Sequence, residues 1–319
     1  MKINAQDDKK VLFFRDFRGF RGGHLKVWHY FNHFNAHGNY KPYISFSEDS
    51  LWDVSNPWFS IKNKVLSTAE DINPDILFLA GLDWLRKNEV KNYSESTPII
   101  NLIQHVRHGH PDTNLYSFLK NKAIRICVSE QVAEAITQTR RVNGPIYIIP
   151  NGIDLQHLPQ PIPFENRTID ILIAGLKQNQ LAQRLFETLE PLNKKITVVT
   201  NQMLQADYLA LISQAKIAVF LPHLEEGFYL PPIEAMFMET LVVCPDCIGN
   251  RSFCIPEYNC FRPQHTFTDI LNAVHAALSL SENDKQQLLS NAKLIASNHS
   301  LETEQKIFFE ILNNLAHIW

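Results

Sequence analysis

At 319 residues, 45% of them hydrophobic and 20% charged, the chain is long enough for about two domains, each with its own core. A formal net charge of −3 and the lack of a basic run exclude a general attraction to nucleic acid. The opening ten residues are polar, no apolar run approaches the ~20 residues that cross a bilayer, and an odd count of 5 cysteines does not fit a secreted disulfide framework, so a cytoplasmic chain with reduced thiols is expected.

Short apolar runs alternate with helical patterns, as in parallel sheets flanked by helices. In the first half, strands are predicted near 11–14, 43–46, 75–80, 98–103, 124–128 and 146–149. Helices fall at 24–34, 83–92, 115–121 and 130–140, which together make one Rossmann-like unit. A second unit follows Pro150-Asn151-Gly152-Ile153-Asp154 and a stiff proline-rich connector, 158–163. Its strands are expected near 170–174, 196–200, 217–221 and 241–244, and its helices near 180–189, 208–214 and 232–238. From 267 the pattern is helical only, broken at 281–282 and 298–300. It ends with Ile307, Phe308, Ile311, Leu312 and Leu315 along one face.

The most informative stretch is Glu226-Gly227-Phe228-Tyr229-Leu230-Pro231-Pro232-Ile233-Glu234. Gly227 permits close approach of a ligand to the backbone, and Pro231 or Pro232 fits the first turn of a helix, where a missing N–H costs nothing. Amides of 228–233 would then face an anion, with Glu226 on the preceding loop and Glu234 on the first turns gripping hydroxyls on either side of a diphosphate. A sugar nucleotide has that layout. An ordinary strand–loop–helix joint with a capping acid is the alternative.

This string, E-G-F-Y-L-P-P-I-E-A, resembles the E-x7-E element of retaining glycosyltransferases of the GT-B fold, family 4. Tyr229 stands where that family usually has a small residue, which implies a narrower pocket beside the donor sugar. Val128-Ser129-Glu130 before a helix and Pro150-Asn151-Gly152-Ile153-Asp154 are similar to two further elements of the family, in the same order. The resemblance implies an α/β chain of two Rossmann-like domains with parallel sheets facing across a cleft. Its expected parts are an acceptor domain at 1–156, a donor domain at 157–300 and a final helix at 301–319 that packs back on the first domain.

The first strand runs into a loop, Arg15 to His24, at the edge where an open α/β sheet places its ligand. Gly22 and Gly23 resemble the family's glycine pair under the donor phosphate, although a bare tight turn reads the same way. No G-x-G-x-x-G occurs, so a nicotinamide site is not supported. Arg18 and Arg21 interleaved with Phe20 suit an anionic or ring-bearing acceptor, and a solvated loop face suits them equally. His105 follows a strand; the resemblance implies contact with the donor sugar near its reacting carbon, with His108 a further acceptor-side candidate. A histidine packed at a strand end is the other reading of His105.

A diphosphate needs cations, since one at 4 Å is worth about 4 kcal/mol at an effective dielectric near 20. The family usually has an arginine just after the glycine of the first strand of this unit; here Gly175 is followed by Leu176, and Lys177 is the nearest substitute. Arg251, with the amides of Gly249 and Asn250, is a second candidate and Arg184 a weaker third. Cys244-Pro245-Asp246-Cys247 is a C-x-x-C, but Cys254 and Cys260 lack zinc-ribbon spacing, so no metal is expected there. His29, His33 and His37 recur every four residues without an HExxH and read as a polar helix face.

By resemblance the reaction moves a sugar from a nucleoside diphosphate to a hydroxyl with retention. Glu226, His105 and Lys177 are expected at the reacting centre. Gly22, Gly23, Gly175, Gly227, Phe228, Tyr229, Leu230, Glu234, Gly249, Asn250 and Arg251 are expected around the donor. No D-x-D string occurs, so no cofactor or metal is expected beyond the nucleotide sugar itself. The acceptor is a glycan, a lipid-linked or a small molecule, and peripheral contact with the inner membrane face fits the lipid-linked case. Two alternatives stay open: a nucleotide-sugar epimerase on the same fold, and a non-catalytic subunit of a glycan-assembly complex. No sequence feature specifies an oligomeric state.

Overall fold

The computed structural model describes residues 8–91 and 93–319. The polar leader up to Asp7, and Asn92 at the end of the predicted helix 83–92, lie outside the described residues. The chain divides into two compact units: Met1–Pro150 with Glu304–Trp319, and Asn151–Thr303.

The first unit is built on β1 (Lys9–Arg15), α1 (Gly22–Ala36), β2 (Tyr40–Phe46), β3 (Val65–Leu66), β4 (Ile76–Ala80), β5 (Ile99–Ile103), α2 (Asn114–Ser117), β6 (Ile124–Cys127), α3 (Glu130–Thr137) and β7 (Ile146–Ile148). Its seven strands are all parallel, in the order β3-β2-β1-β4-β5-β6-β7. Covered on both faces, the central strands read as near-continuous apolar runs: Val11 to Phe14, Ile76 to Ala80 and Ile99 to Ile103 are all buried, and only Asn101 among them is polar. Pro42 is tolerated in β2 because β3 pairs only with Ile44 and Ser45, leaving the strand's outer side unpaired at Pro42. β3 itself was not legible, being two residues long. The segment predicted as helix 83–92 is a 3-10 stretch, Gly81–Glu89, and 115–121 is α2 followed by another, Phe118–Lys120.

The second unit contains β8 (Ile169–Ala174), α4 (Asn179–Leu189), β9 (Ile196–Val199), α5 (Gln205–Gln214), β10 (Ala215–Phe220), α6 (Leu230–Phe237), β11 (Leu241–Val243), α7 (Phe267–Leu278) and α8 (Glu282–Asn298). The strands are parallel in the order β11-β10-β8-β9. Ile171, Ile173, Val219, Leu221 and Val243 pack with Leu185, Leu189, Ile270 and Val274 of the flanking helices in one core. Ala174 is in register with Phe220 on one side and Val199 on the other, so these three strands end level. The strand order reverses between β8 and β10, and a crevice at the carboxyl ends of such strands is where open α/β sheets hold ligands.

From Glu304 onward, α9 (Leu301–Asn313) and α10 (Leu315–Ile318) belong to the first unit. Phe308 meets the rings of Tyr30 at 4.9 Å and Phe34 at 5.1 Å. Glu304 is buried and takes Lys26 Nζ at 2.5 Å and His33 Nε2 at 3.0 Å, which holds its carboxyl down at about 2 against the opposing effect of burial. The polar face read from His29, His33 and His37 is turned inward at its first two positions, where His29 meets Lys26 and His33 meets Glu304. Both are buried, because a four-residue spacing marks a helix face without saying whether water or a carboxylate covers it.

Candidate functional site

Apart from Gly22 and Gly23, the expected donor residues gather on three loops and the start of α6 at the carboxyl edge of the second sheet. The first, after β8, carries Gly175, Leu176 and Lys177. A Cβ on Gly175 would come within 2.2 Å of the Ala182 Cβ, and its amide donates to Val199 O at 2.9 Å. That glycine therefore serves the close packing of α4 and does not offer its N–H to a ligand. Leu176, Lys177, Gln178, Asn179, Gln180 and Leu181 line an open concavity of about 380 Å³.

The second loop, after β10, carries Glu226, whose carboxylate forms an ion pair with the Lys177 ammonium. The Lys177 side chain is 37% exposed and that of Glu226 16%, so the pair lies at the surface of the crevice. Lys177 Nζ also sits 5.1 Å from the centroid of the buried Tyr229 ring. Gln178 Nε2 donates to Pro222 O at 2.9 Å and His265 approaches the same carbonyl at 3.0 Å, tying the first two loops together. Neither Gln178 nor His265 was singled out by sequence, since partners 44 and 43 positions away leave no local signal.

The third loop, after β11, braces the second. Ile248 N donates to Leu224 O at 2.9 Å and Tyr229 N to Gly249 O at 2.9 Å, on either side of Glu226. A Cβ on Gly249 would lie 2.8 Å from Glu226 O and 2.9 Å from Tyr229 N, so only glycine lets the loops come this close. The Asn250 side chain is fully buried, donating to Pro245 O at 2.9 Å and accepting from Cys247 N at 3.2 Å. Its side chain is thus structural, and its backbone amide, the group expected to meet phosphate, donates to Cys247 O at 3.3 Å. Arg251 is held by Asp246 at 2.6 Å, and Arg184 stacks 3.8 Å from the Phe267 centroid. Lys177 is therefore the cation at this edge whose counter-ion is itself an expected donor ligand.

The anion cradle at the start of α6 is also smaller than expected. Tyr229's amide is taken by Gly249, Pro231 and Pro232 have none, and the Phe228 ring packs against Phe253 at 5.1 Å and His299 at 5.7 Å. Leu230 opens the helix and brings its own N–H to the edge. Glu234, one turn on, is 8% exposed, and among the described residues no donor meets its carboxylate. Burial alone pushes it up to about 7. A carboxylate in that state lacks the partners that buried charges otherwise have.

In the first unit, Gly22 and Gly23 open α1, and Gln104 Nε2 donates to Gly23 O at 3.2 Å. His105 sits just past β5; its Nδ1 accepts from Arg107 N at 3.1 Å, which in the neutral ring puts the proton on Nε2. His108 is 3% exposed, and burial beside Arg125 drives it down to about 3. That removes it as an acceptor ligand: the short helical turn after His105 packs on α3, where a Cβ on Gly109 would meet Ala135 O at 2.5 Å. Arg18 is bound by Asp16 at 2.7 Å and Asp49 at 2.9 Å, while Phe20 is half-buried and Arg21 exposed at the start of α1. All five cysteines are free and buried, and burial pushes Cys247 up to about 12, so the C-x-x-C is a pair of packed thiols. Among the described residues there is no group of three or more His, Cys, Asp or Glu placed to hold a metal.

Residues 155–295 match the family model described as glycosyl transferases group 1. No curated protein sequence matches the chain. Among solved structures it is similar to sucrose-phosphate synthase from Thermosynechococcus elongatus, with a TM-score of 0.74 at 14% identity over 97% of this chain and 99% of that one. Anabaena HepE in complex with UDP and glucose gives 0.74 at 13% identity over 96% and 99%. A glycosyltransferase from Rickettsia africae ESF-5 gives 0.66 at 14% identity over 95% and 97%. At such identities the likeness carries the fold, which is GT-B. Among the described residues no helix is long and apolar enough to cross a membrane.

Proposed function

We propose that the chain is a retaining glycosyltransferase of family 4 that moves a sugar from a nucleoside diphosphate to an acceptor hydroxyl, using the carboxyl edge of the second sheet as the donor site. The observation that carries this reading is the trio of Lys177, Glu226 and Glu234 at the reversal of strand order. One ammonium, one accessible carboxylate and one buried carboxylate lacking a donor match the diphosphate, the sugar hydroxyls and the ribose diol in turn. The group 1 match over residues 155–295 and the fold shared with HepE, crystallised with UDP and glucose, support it.

In the proposed reaction the bond from the anomeric carbon to the diphosphate oxygen breaks with its electron pair going to the diphosphate. The acceptor oxygen bonds to that carbon on the same face, and its proton ends on the departing phosphate. Lys177 and the start of α6 stabilise the charge that grows on the leaving group. No step requires a divalent cation, so chelator should leave turnover unchanged. The reaction is placed in the cytoplasm, in surface polysaccharide or glycoconjugate assembly, and at the inner face of the membrane when the acceptor is lipid-linked.

Thermal unfolding with a panel of nucleoside diphosphates and their sugars tests the donor site. A ligand at a hundred times its Kd adds about 2.7 kcal/mol to the folded state, and the stabilising sugar nucleotide should then be hydrolysed slowly without acceptor. A panel in which none shifts the melting temperature would overturn the reading.

A further inference from the structure

The arginines beside the donor loops already have fixed partners: Arg184 on Phe267, and Arg251 and Arg262 on Asp246. Lys177 differs, because one of its two partners is a group that an incoming donor would claim. Sugar hydroxyls seek the Glu226 carboxylate just as a diphosphate seeks the ammonium, so donor binding exchanges the ion pair for two new sets of contacts. At that moment a lysine on a flexible stem would be free to swing away.

Its other partner cannot move. The Tyr229 ring is buried, its backbone amide is tied to Gly249 O, and the ring meets Phe220 at 6.3 Å. A ring face attracts a cation without claiming a particular N–H, leaving the ammonium's donors for phosphate oxygens.

We infer that Tyr229 is a positioning residue that keeps the Lys177 ammonium where the diphosphate departs while Glu226 lets go of it to take the sugar. The residue at the start of α6 thereby makes one lysine sufficient in a loop that has Leu176 before it. This rests on the donor-site reading above.

Lysine methyl NMR on reductively 13C-methylated protein reads the contact directly, with the Lys177 signal identified by its loss in Lys177→Arg. That signal should lie upfield through the ring current, stay upfield in Tyr229→Phe and return to the ordinary position in Tyr229→Leu. On addition of UDP it should shift again yet remain upfield in the parent. In UDP-glucose hydrolysis, Tyr229→Leu should lower kcat about tenfold with UDP affinity nearly unchanged, and Tyr229→Phe should restore the rate. A parent that binds no nucleoside diphosphate overturns the donor-site reading itself. A parent that binds UDP but shows no ring-current shift at Lys177, or a Tyr229→Leu protein whose kcat and UDP affinity fall together, overturns the role of Tyr229 alone.

Discussion

Each sheet reverses its strand order once, and each places a cation and a carboxylate at that point. In the first unit Arg15, at the end of β1, pairs with Asp83 just past β4; in the second, Lys177 after β8 pairs with Glu226 after β10. Arg15 and Asp83 are both buried. The Arg15 guanidinium also donates to Phe14 O at 2.7 Å and Ala80 O at 2.7 Å, while Asp83 accepts from Ala80 N at 2.9 Å. That pair is sealed from water and braced by the backbone, with burial pushing the Asp83 carboxyl up against the pull of Arg15. Lys177 and Glu226 are open to water, and a lysine changes partners where a five-donor arginine fork does not. One topological position thus yields a buried strut in one unit and the proposed donor site in the other, and the difference is exposure.

Breaking the strut should have the largest effect. Asp83→Ala leaves a buried guanidinium without its counter-ion and should cost about 3–5 kcal/mol in urea unfolding. A loss below 1 kcal/mol would erase the contrast. Glu226→Ala should do the reverse, lowering turnover about 10²–10³-fold while stability changes by less than about 1 kcal/mol.

Glu234 sharpens the comparison through pH. Burial pushes its carboxyl up to about 7 in the fold from the 4.5 of a solvated glutamate, so the fold holds the proton more tightly between those values. Ionising it costs stability, in full above about pH 7 and not at all below about pH 4.5, on the order of 3 kcal/mol at most. A ribose diol donates to the ionised form, so nucleoside diphosphate binding should tighten by up to about tenfold per pH unit as pH rises toward 7, then level off. Glu234→Gln should weaken binding about tenfold or more, flatten that profile and unfold no more easily than the parent at pH 8. Calorimetry across pH 5 to 8 reads all three. Gly249→Ala should cost about 1–2 kcal/mol of stability and lower turnover more than UDP affinity, because its Cβ would press on Glu226 O and Cβ and on Tyr229 N.

Much of this was legible beforehand. Apolar runs of four to six residues separated by helical periods are enough to announce parallel sheets, because a strand covered on both faces has no polar side to alternate. Glu226 and Glu234 stood out because glycine and paired prolines fix the backbone between them. The sequence erred where a side chain's fate depends on what lies across from it. His108 looked like a loop histidine and is sealed against α3; the Asn250 amide looked open to phosphate and is turned to Cys247 O; Arg251 looked like a free cation and belongs to Asp246.

The sequence by itself determined the two Rossmann-like units and the acidic motif at the start of a helix, since those follow from local periodicity and backbone permission. Only the tertiary structure decided that Lys177 meets Glu226 49 positions away, that Tyr229 lies beneath the ammonium and that Gly249 holds the loop from behind. Strand order sets which loops become neighbours, and that order is fixed by how whole sheets and helices pack.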